Sequence, residues 1–240
     1  MISVCMATFN GSNYIEEQLK SILVQIDIND EIIIVDDTSS DNTLSLIYNF
    51  NDPRIKIFKN ALNSGVIKSF ERAVSLAKGD VIFLSDQDDI WLPDKVEKIM
   101  NLFTSDCSLT LCLSDANIID GSNIIQDDTY FERRDGFKSG IFSNIIKNKF
   151  LGCSIAFKQS IVGHILPIPL TVPAHDMWIG IINEIYGKSE YIDTPLFQYR
   201  RHSHNVSSMK HENILIMLRW RIILIYHLLR RVALISFKRI

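Results

Sequence analysis

The feature of this 240-residue chain that most constrains its fold is a rhythm in its first hundred residues. Four short apolar runs, ISVCMAT, EIIIVDD, RIKIFKN and VIFLS, alternate with stretches of helical spacing. The helical candidates cover residues 14 to 24, begin again at Asn42, and begin a third time after Gly65, where Val66, Phe70, Val74 and Ala77 mark a buried stripe. Strands that are apolar on both faces belong to a mostly parallel sheet covered by helices on each side. The expectation is an α/β protein with a mixed, mostly parallel sheet, and a hydrophobic content of 47% can fill its core. In open sheets of this kind ligands bind beyond the carboxyl ends of the strands, where Thr8, Asp36, Asp37 and the carboxylates after VIFLS all fall.

The second half is less regular. LTLCLSD and ANIIDG read as two strands, residues 126 to 138 as a polar loop, and LGCSIAFK as another strand. A helix is predicted from near Asp176 through Trp178, Ile181 and Ile185, with Gly187 as its stop. SEYIDTPLFQYR then reads as extended and RHSHNVSS as a polar loop. A net charge of -3 offers no basic excess for neutralising phosphates, which argues against a nucleic-acid partner. Cys5, Cys107, Cys112 and Cys153 form no C-x-x-C pair and no Cys/His cluster at zinc spacing, so buried free thiols are expected. MISVCMATFN does not read as a secretory signal, and the protein is expected in the cytoplasm.

The segment GDVIFLSDQDDIW carries the chemistry. It runs an apolar strand into Asp86, Asp88 and Asp89, and carboxylates crowded at a strand end raise one another's pKa unless a cation lies among them. The cation that suits such oxygens is a hard divalent one, Mg²⁺ or Mn²⁺, with substrate phosphates completing its shell. The competing reading is an ordinary acidic turn before the helix that follows Pro93.

With these pieces placed, the sequence resembles the bacterial glycosyltransferases of family 2, the inverting, nucleotide-sugar-dependent class with the GT-A fold. The resemblance covers residues 1 to about 208 and rests on four motifs in order: ISVCMATFNGSNYIEEQLKSI, IIIVDDTSSDNT, NSGVIKSFERAVSLAKGDVIFLSDQDDIW and HDMW. SDQDDIW together with YRRHSHNVS looks most like the rhamnosyltransferase-type members that build O-antigen and capsule repeats. The resemblance implies a nucleotide-sugar-binding half over residues 1–110 and an acceptor-binding half over 111–208. It implies a dTDP-rhamnose or UDP-hexose donor and a polyprenyl-diphosphate-linked saccharide acceptor.

Roles for individual residues follow from the same resemblance. Asp37 would meet the base or ribose, with Thr8 beside it at the end of the first strand; the alternative for Asp36 and Asp37 is capping of the helix near Asp41. Asp88 would bind the metal, with Asp86 sharing it and facing the nucleotide-sugar, and with Asp89 in support. Asp176 would be the general base, and it also suits the start of its own helix. Arg200, His202 and His204 would reach the diphosphate or the metal from a loop that orders over the donor, against the alternative of a solvated basic loop. Lys68 is a further nucleotide contact. Trp91 could stack on a sugar or simply pack. The chain departs from the family pattern at Thr38, where glycine is usual, at Phe70, where many relatives carry arginine, and at His175, where many carry glutamate. The rival readings are a sugar nucleotidyltransferase, a dinucleotide-dependent oxidoreductase and a non-catalytic membrane-associated scaffold; the first two need glycine-rich loops that MATFNGSN does not supply.

From Lys210 onward the chain reads as one amphipathic helix. Leu215, Leu218, Ile222, Ile225, Leu229 and Val232 define a stripe, with Lys210, Arg219, Arg221, Arg230, Arg231, Lys238 and Arg239 off it against a single acid, Glu212. Arg219 and Arg221 interrupt any run long enough to span a bilayer, so residues 210–240 are expected to lie on the inner face of the plasma membrane, or else to pack on protein.

Overall fold

The computed structural model of the chain describes residues 1–132, 136–203, 205 and 213–237. His204, Lys210, Glu212, Lys238 and Arg239 lie outside the described residues. The opening half follows the predicted alternation: β1 (Ile2–Thr8), α1 (Ile15–Leu23), β2 (Glu31–Asp36), α2 (Thr43–Asn49), β3 (Ile55–Lys59), α3 (Val66–Leu76) and β4 (Val81–Ser85). β1, β2 and β4 are almost entirely buried, as strands covered on both faces must be. In α1 the buried positions Ile15, Gln18, Leu19 and Ile22 fall on one face, while Glu16 and Glu17 sit in the first turn, where the helix dipole favours acids.

After β4 come β5 (Ile90–Trp91), α4 (Lys95–Ser105), β6 (Leu111–Asp120), β7 (Ile125–Asp127), α5 (Ile141–Ile146), β8 (Ile155–Lys158), α6 (Val162–Ile165), α7 (His175–Tyr186), β9 (Ser189–Arg201) and α8 (Ile214–Phe237). Among the described residues the strands form a single sheet in the order β3-β2-β1-β4-β8-β6-β9-β5, with β7 on β6. β1 to β4 are parallel, β8 runs antiparallel between β4 and β6, and β9 is parallel to β6. The parallel register sets Thr8 opposite Asp36 and Met6 opposite Ser85, so the polar ends of β1, β2 and β4 share one edge.

Three sequence expectations change. LTLCLSD and ANIIDG are one strand, β6, whose register against β9 shifts around Asp115. The buried Asp115 carboxylate holds that irregularity by accepting the N–H groups of Ala116, Tyr130 and Phe131. Residues 126 to 138 are not wholly a loop, since β7 pairs with β6. Gly187 does stop α7, but in extended backbone; it must be glycine because a Cβ there would collide with Thr110 Oγ1. Cys5, Cys112 and Cys153 are buried free thiols, whereas Cys107 is exposed.

α8 is docked through Leu224, Leu228 and Arg231. The Arg231 guanidinium lies over the Trp178 ring at 5.1 Å and donates to the carbonyls of His164, Leu166 and Pro167. Arg221 donates to the Ile146 carbonyl at 2.9 Å. These two arginines therefore face the protein. The apolar stripe is turned outward, with Leu215, Leu218, Ile222, Ile225 and Leu229 all exposed. No helix among the described residues is long and apolar enough to cross a membrane.

Candidate active site

The acidic turn between β4 and β5 is fastened from several sides. Gln87 clasps the end of β1, accepting the Phe9 N–H at 2.9 Å and donating to its carbonyl at 3.1 Å. Asp89 is fully buried; its Oδ1 accepts the Arg200 N–H at 3.0 Å, and the Cys153 thiol adjoins the carboxylate. Oxygens of Asp86 and Asp89 and the Cys153 sulfur lie within 4.8 Å of one another. Asp88 is turned to the other side, its Oδ2 2.8 Å from His202 Nε2 and 3.3 Å from Asn205 Nδ2.

Burial raises the Asp86 pKa to about 7, and the charges of Asp88 and Asp176 push it the same way. Asp89 is raised as well, by burial and by Asp88 and Asp86. The Lys95 Nζ lies beneath, bonded to the Cys153 carbonyl at 3.0 Å and held over the rings of Trp91 (4.6 Å) and Phe197 (4.2 Å). Burial lowers its pKa to about 8. Of the two enclosed cations here, Lys95 is bonded to the Cys153 carbonyl and Arg200 is paired with Glu17, so neither neutralises the three carboxylates, and the further donor beside Asp89 is the weak Cys153 thiol. The donor set thus fits a hard divalent cation, with Asp86 and Asp88 as the reachable carboxylates and the His202 imidazole adjoining. Among the described residues Asp86, Asp89 and Cys153 bring three donor atoms within 4.8 Å of one another, and Asp88 stands beside them paired with His202. Trp91 is buried in the packing against Phe83, which leaves no face for a sugar.

Asp176 lies in the first turn of α7, and its charge reaches Asp86. Burial raises its pKa to about 6, opposed by the N–H groups of Met177 (2.6 Å to Oδ1) and Gly152 and by the Asn148 side chain. The carboxylate is thereby fixed in place yet poised to take up a proton near neutrality. His175 is buried, and burial lowers its pKa to about 4, so it is neutral; its ring stacks on Phe70 at 4.3 Å. Two of the chain's departures from the family pattern are therefore in contact. Gly152 permits the approach, since a Cβ there would meet His175 Nε2 at 2.9 Å.

The nucleotide edge is equally built. Asp37 Oδ1 accepts Asn60 Nδ2 (2.7 Å) and the Ser64 N–H (2.8 Å), and Oδ2 accepts the Gly65 N–H (2.7 Å). Of a carboxylate's roughly four acceptor sites, about one remains for a ligand. Neither Asp36 nor Asp37 caps α2, because Asp41 takes the Thr43 N–H. Thr8 donates to Asp36 at 3.3 Å and is buried, so its hydroxyl faces the protein. Thr38 has φ +66°, the left-handed region that a β-branched residue adopts at a cost of about 1–2 kcal/mol and that glycine adopts freely. Lys68 pairs with Glu71 at 3.0 Å on an exposed flank of α3.

Arg200 corrects the picture of a mobile, diphosphate-seeking side chain. It is 1% exposed; Nε donates to the Asp88 carbonyl (2.7 Å), NH2 to Glu17 (2.8 Å), and NH1 to Asn123 and the Asp120 carbonyl. It locks the acidic turn to β6 and α1. Tyr14 covers the assembly, its ring 4.5 Å from the Arg200 guanidinium and 4.9 Å from the His202 ring. Tyr14, Lys95, Asn148, Cys153 and Asn205 escape sequence reading. Each sits in a segment whose local pattern explains it as helix start, core or loop.

The profile of the Glycosyl transferase family 2 matches residues 3–166, ending before α7. The dTDP-rhamnosyl transferase RfbG of Shigella flexneri is 33% identical over 216 residues, 83% of this chain and 72% of RfbG. The UDP-Glc:alpha-D-GlcNAc-diphosphoundecaprenol beta-1,3-glucosyltransferase WfgD of Escherichia coli is 30% identical over 125 residues, 52% of this chain and 49% of WfgD. Among solved structures, S. aureus TarS in complex with UDP-GlcNAc superimposes with a TM-score of 0.70 at 17% identity, over 93% of this chain and 66% of that one. The mannosyltransferase PcManGT of Pyrobaculum calidifontis, in complex with GDP-Man and Mn²⁺, gives 0.62 at 19% identity, over 83% and 56%. The fold is the GT-A arrangement. With that fold, an acidic turn at the β4 edge and a profile match over more than half its length, the chain belongs to glycosyl transferase family 2.

Proposed function

We propose that the protein transfers a sugar, with inversion, from dTDP-rhamnose or a UDP-hexose to a polyprenyl-diphosphate-linked saccharide, in O-antigen or capsular polysaccharide synthesis. The observation that carries this reading is the meeting of Asp176 with the acidic turn: a Cβ on Gly152 would stand 3.6 Å from the Asp176 Cβ, and the sulfur of the next residue, Cys153, lies within 4.8 Å of Asp86 and Asp89 oxygens. The acceptor hydroxyl attacks the anomeric carbon from the face opposite the diphosphate, and Asp176 takes its proton. The bond from that carbon to the diphosphate oxygen breaks, and the nucleoside diphosphate leaves with the electron pair. A Mg²⁺ or Mn²⁺ ion bound at Asp88 and Asp86 would offset the charge that develops on the leaving group. Asp37 offers its remaining acceptor site to the base or ribose, and Lys68 and His202 complete the nucleotide edge; Thr8, bonded to Asp36, and Arg200 shape it from behind.

The activities for which RfbG and WfgD are named support the two donor classes, and that of WfgD supports a lipid-diphosphate acceptor. The outward stripe of α8 supports a peripheral position on the cytoplasmic face of the membrane. The test is a panel of nucleotide sugars with a lipid-diphosphate-linked saccharide, in Mn²⁺, in Mg²⁺ and in excess chelator. Transfer is expected from one donor class, to vanish in chelator, and to fall by at least about 10²-fold in Asp88→Asn. Full activity of that variant in chelator would overturn the metal assignment, and transfer from no donor would overturn the substrate assignment.

A further inference from the structure

On α5, Phe142 and Ile146 stand one helical turn apart and are 82% and 73% exposed. Nothing in the catalytic chemistry uses them. The helix is tied to α8 by the bond from Arg221 to the Ile146 carbonyl. At about 100° per residue, Ile225 and Leu218 lie roughly 40° and 60° round α8 from Arg221, toward the outward stripe. The exposed apolar surface therefore continues from the stripe across that flank onto α5. On the stripe's opposite flank stand the exposed cations Arg219 and Arg230. An apolar face bordered by arginines matches an anionic lipid surface, where the side chains enter the boundary between headgroups and acyl chains and the cations meet phosphate.

The chain beyond this patch leads directly to the base. Asn148 follows Ile146 by two residues, on the order of 7 Å of chain at most. Its side chain is among the groups that hold Asp176, together with the Gly152 N–H.

We infer that Phe142 and Ile146 of α5 form the second half of the membrane-docking face, and that this face presents the Asp176 end of the site to an acceptor carried in the bilayer. The inference rests on the peripheral-membrane reading of α8. Docking through α8 alone would leave the catalytic domain free to tilt. Contacts through two separate helices fix its orientation and bring the base to the level at which a lipid-linked sugar stands.

The experiment measures binding of the full chain to phosphatidylglycerol-containing vesicles by sedimentation, for wild type, Phe142→Ser/Ile146→Ser and Leu218→Ser/Ile222→Ser, with thermal unfolding as the control of fold. Both double variants should unfold near the wild-type temperature and bind vesicles about 10- to 100-fold more weakly, the loss expected for two large apolar side chains partly buried in lipid. Wild-type affinity in the α5 variant alone would overturn the inference and leave the α8 reading standing. Wild-type affinity in both would overturn the membrane reading itself. A wild-type dimer that the α5 variant converts to monomer, with vesicle binding unchanged, would assign the patch to a subunit contact and refute the inference.

Discussion

Replacing Asp176 by asparagine separates chemistry from stability, because the structure makes opposite demands on that carboxylate. Asparagine keeps the shape and the acceptor oxygen that receives the Met177 N–H, so the fold and the donor site should survive. It cannot take a proton from the acceptor hydroxyl, and turnover at saturating donor should fall by about 10² to 10⁴-fold, or roughly 3 to 5 kcal/mol of barrier. The buried carboxylate also has a thermodynamic cost. Its pKa rises from 3.8 to about 6 on folding, which corresponds to about 3 kcal/mol of destabilisation when it is ionised. In the native state the group holds its proton to higher pH than in the unfolded chain, so the penalty is absent below about pH 4, grows through the interval, and is complete above about pH 6. The metal-free variant should therefore match wild type at pH 4 and exceed it at pH 7.5, by several degrees in unfolding temperature at about 2–4 °C per kcal/mol for a chain of this size. The measurements are thermal unfolding in chelator across that pH range, calorimetric donor affinity, and initial rates. Wild-type turnover should itself rise with pH through about 6, as Asp176 loses its proton. A variant that retained its rate at saturation while losing donor affinity would refute the general-base assignment. One that unfolded below wild type at pH 7.5 would refute the argument from burial.

Two further substitutions probe the framework. Arg200→Lys leaves a buried ammonium that cannot reach Glu17, Asn123 and two carbonyls together, and should lower stability in urea by about 2–3 kcal/mol; a change under about 0.5 kcal/mol would mean that Arg200 is not the pin described. Arg231→Met keeps the stem over Trp178 and removes the donors to three carbonyls, so it should cost about 1–3 kcal/mol and expose α8 to limited proteolysis, whereas unchanged cleavage would show that α8 is held by other contacts.

The sequence by itself determined the opening half of the fold and the position of its carboxylates. Apolar strands and period-3.6 helices alternate there with short connections, and a parallel sheet sets every strand's carboxyl end on one edge. Asp37, Asp86 and Asp88 could be placed at that edge without coordinates, because local pattern and chain direction suffice. Tertiary structure decided the rest, where partners are distant in sequence or two faces of one element look alike. Arg200 reads locally as part of a basic loop, yet β9 inserted beside β6 carries it to Glu17, 183 positions away. Phe70 and His175 read as separate departures from a family pattern until α3 and α7 bring their rings together. In α8 the periodicity located an apolar stripe but could not say which side would dock, since Leu224 and Leu228, which lie off the stripe, are just as apolar. That choice fell to Arg231, whose guanidinium finds three carbonyls on the catalytic domain and so turns the stripe outward.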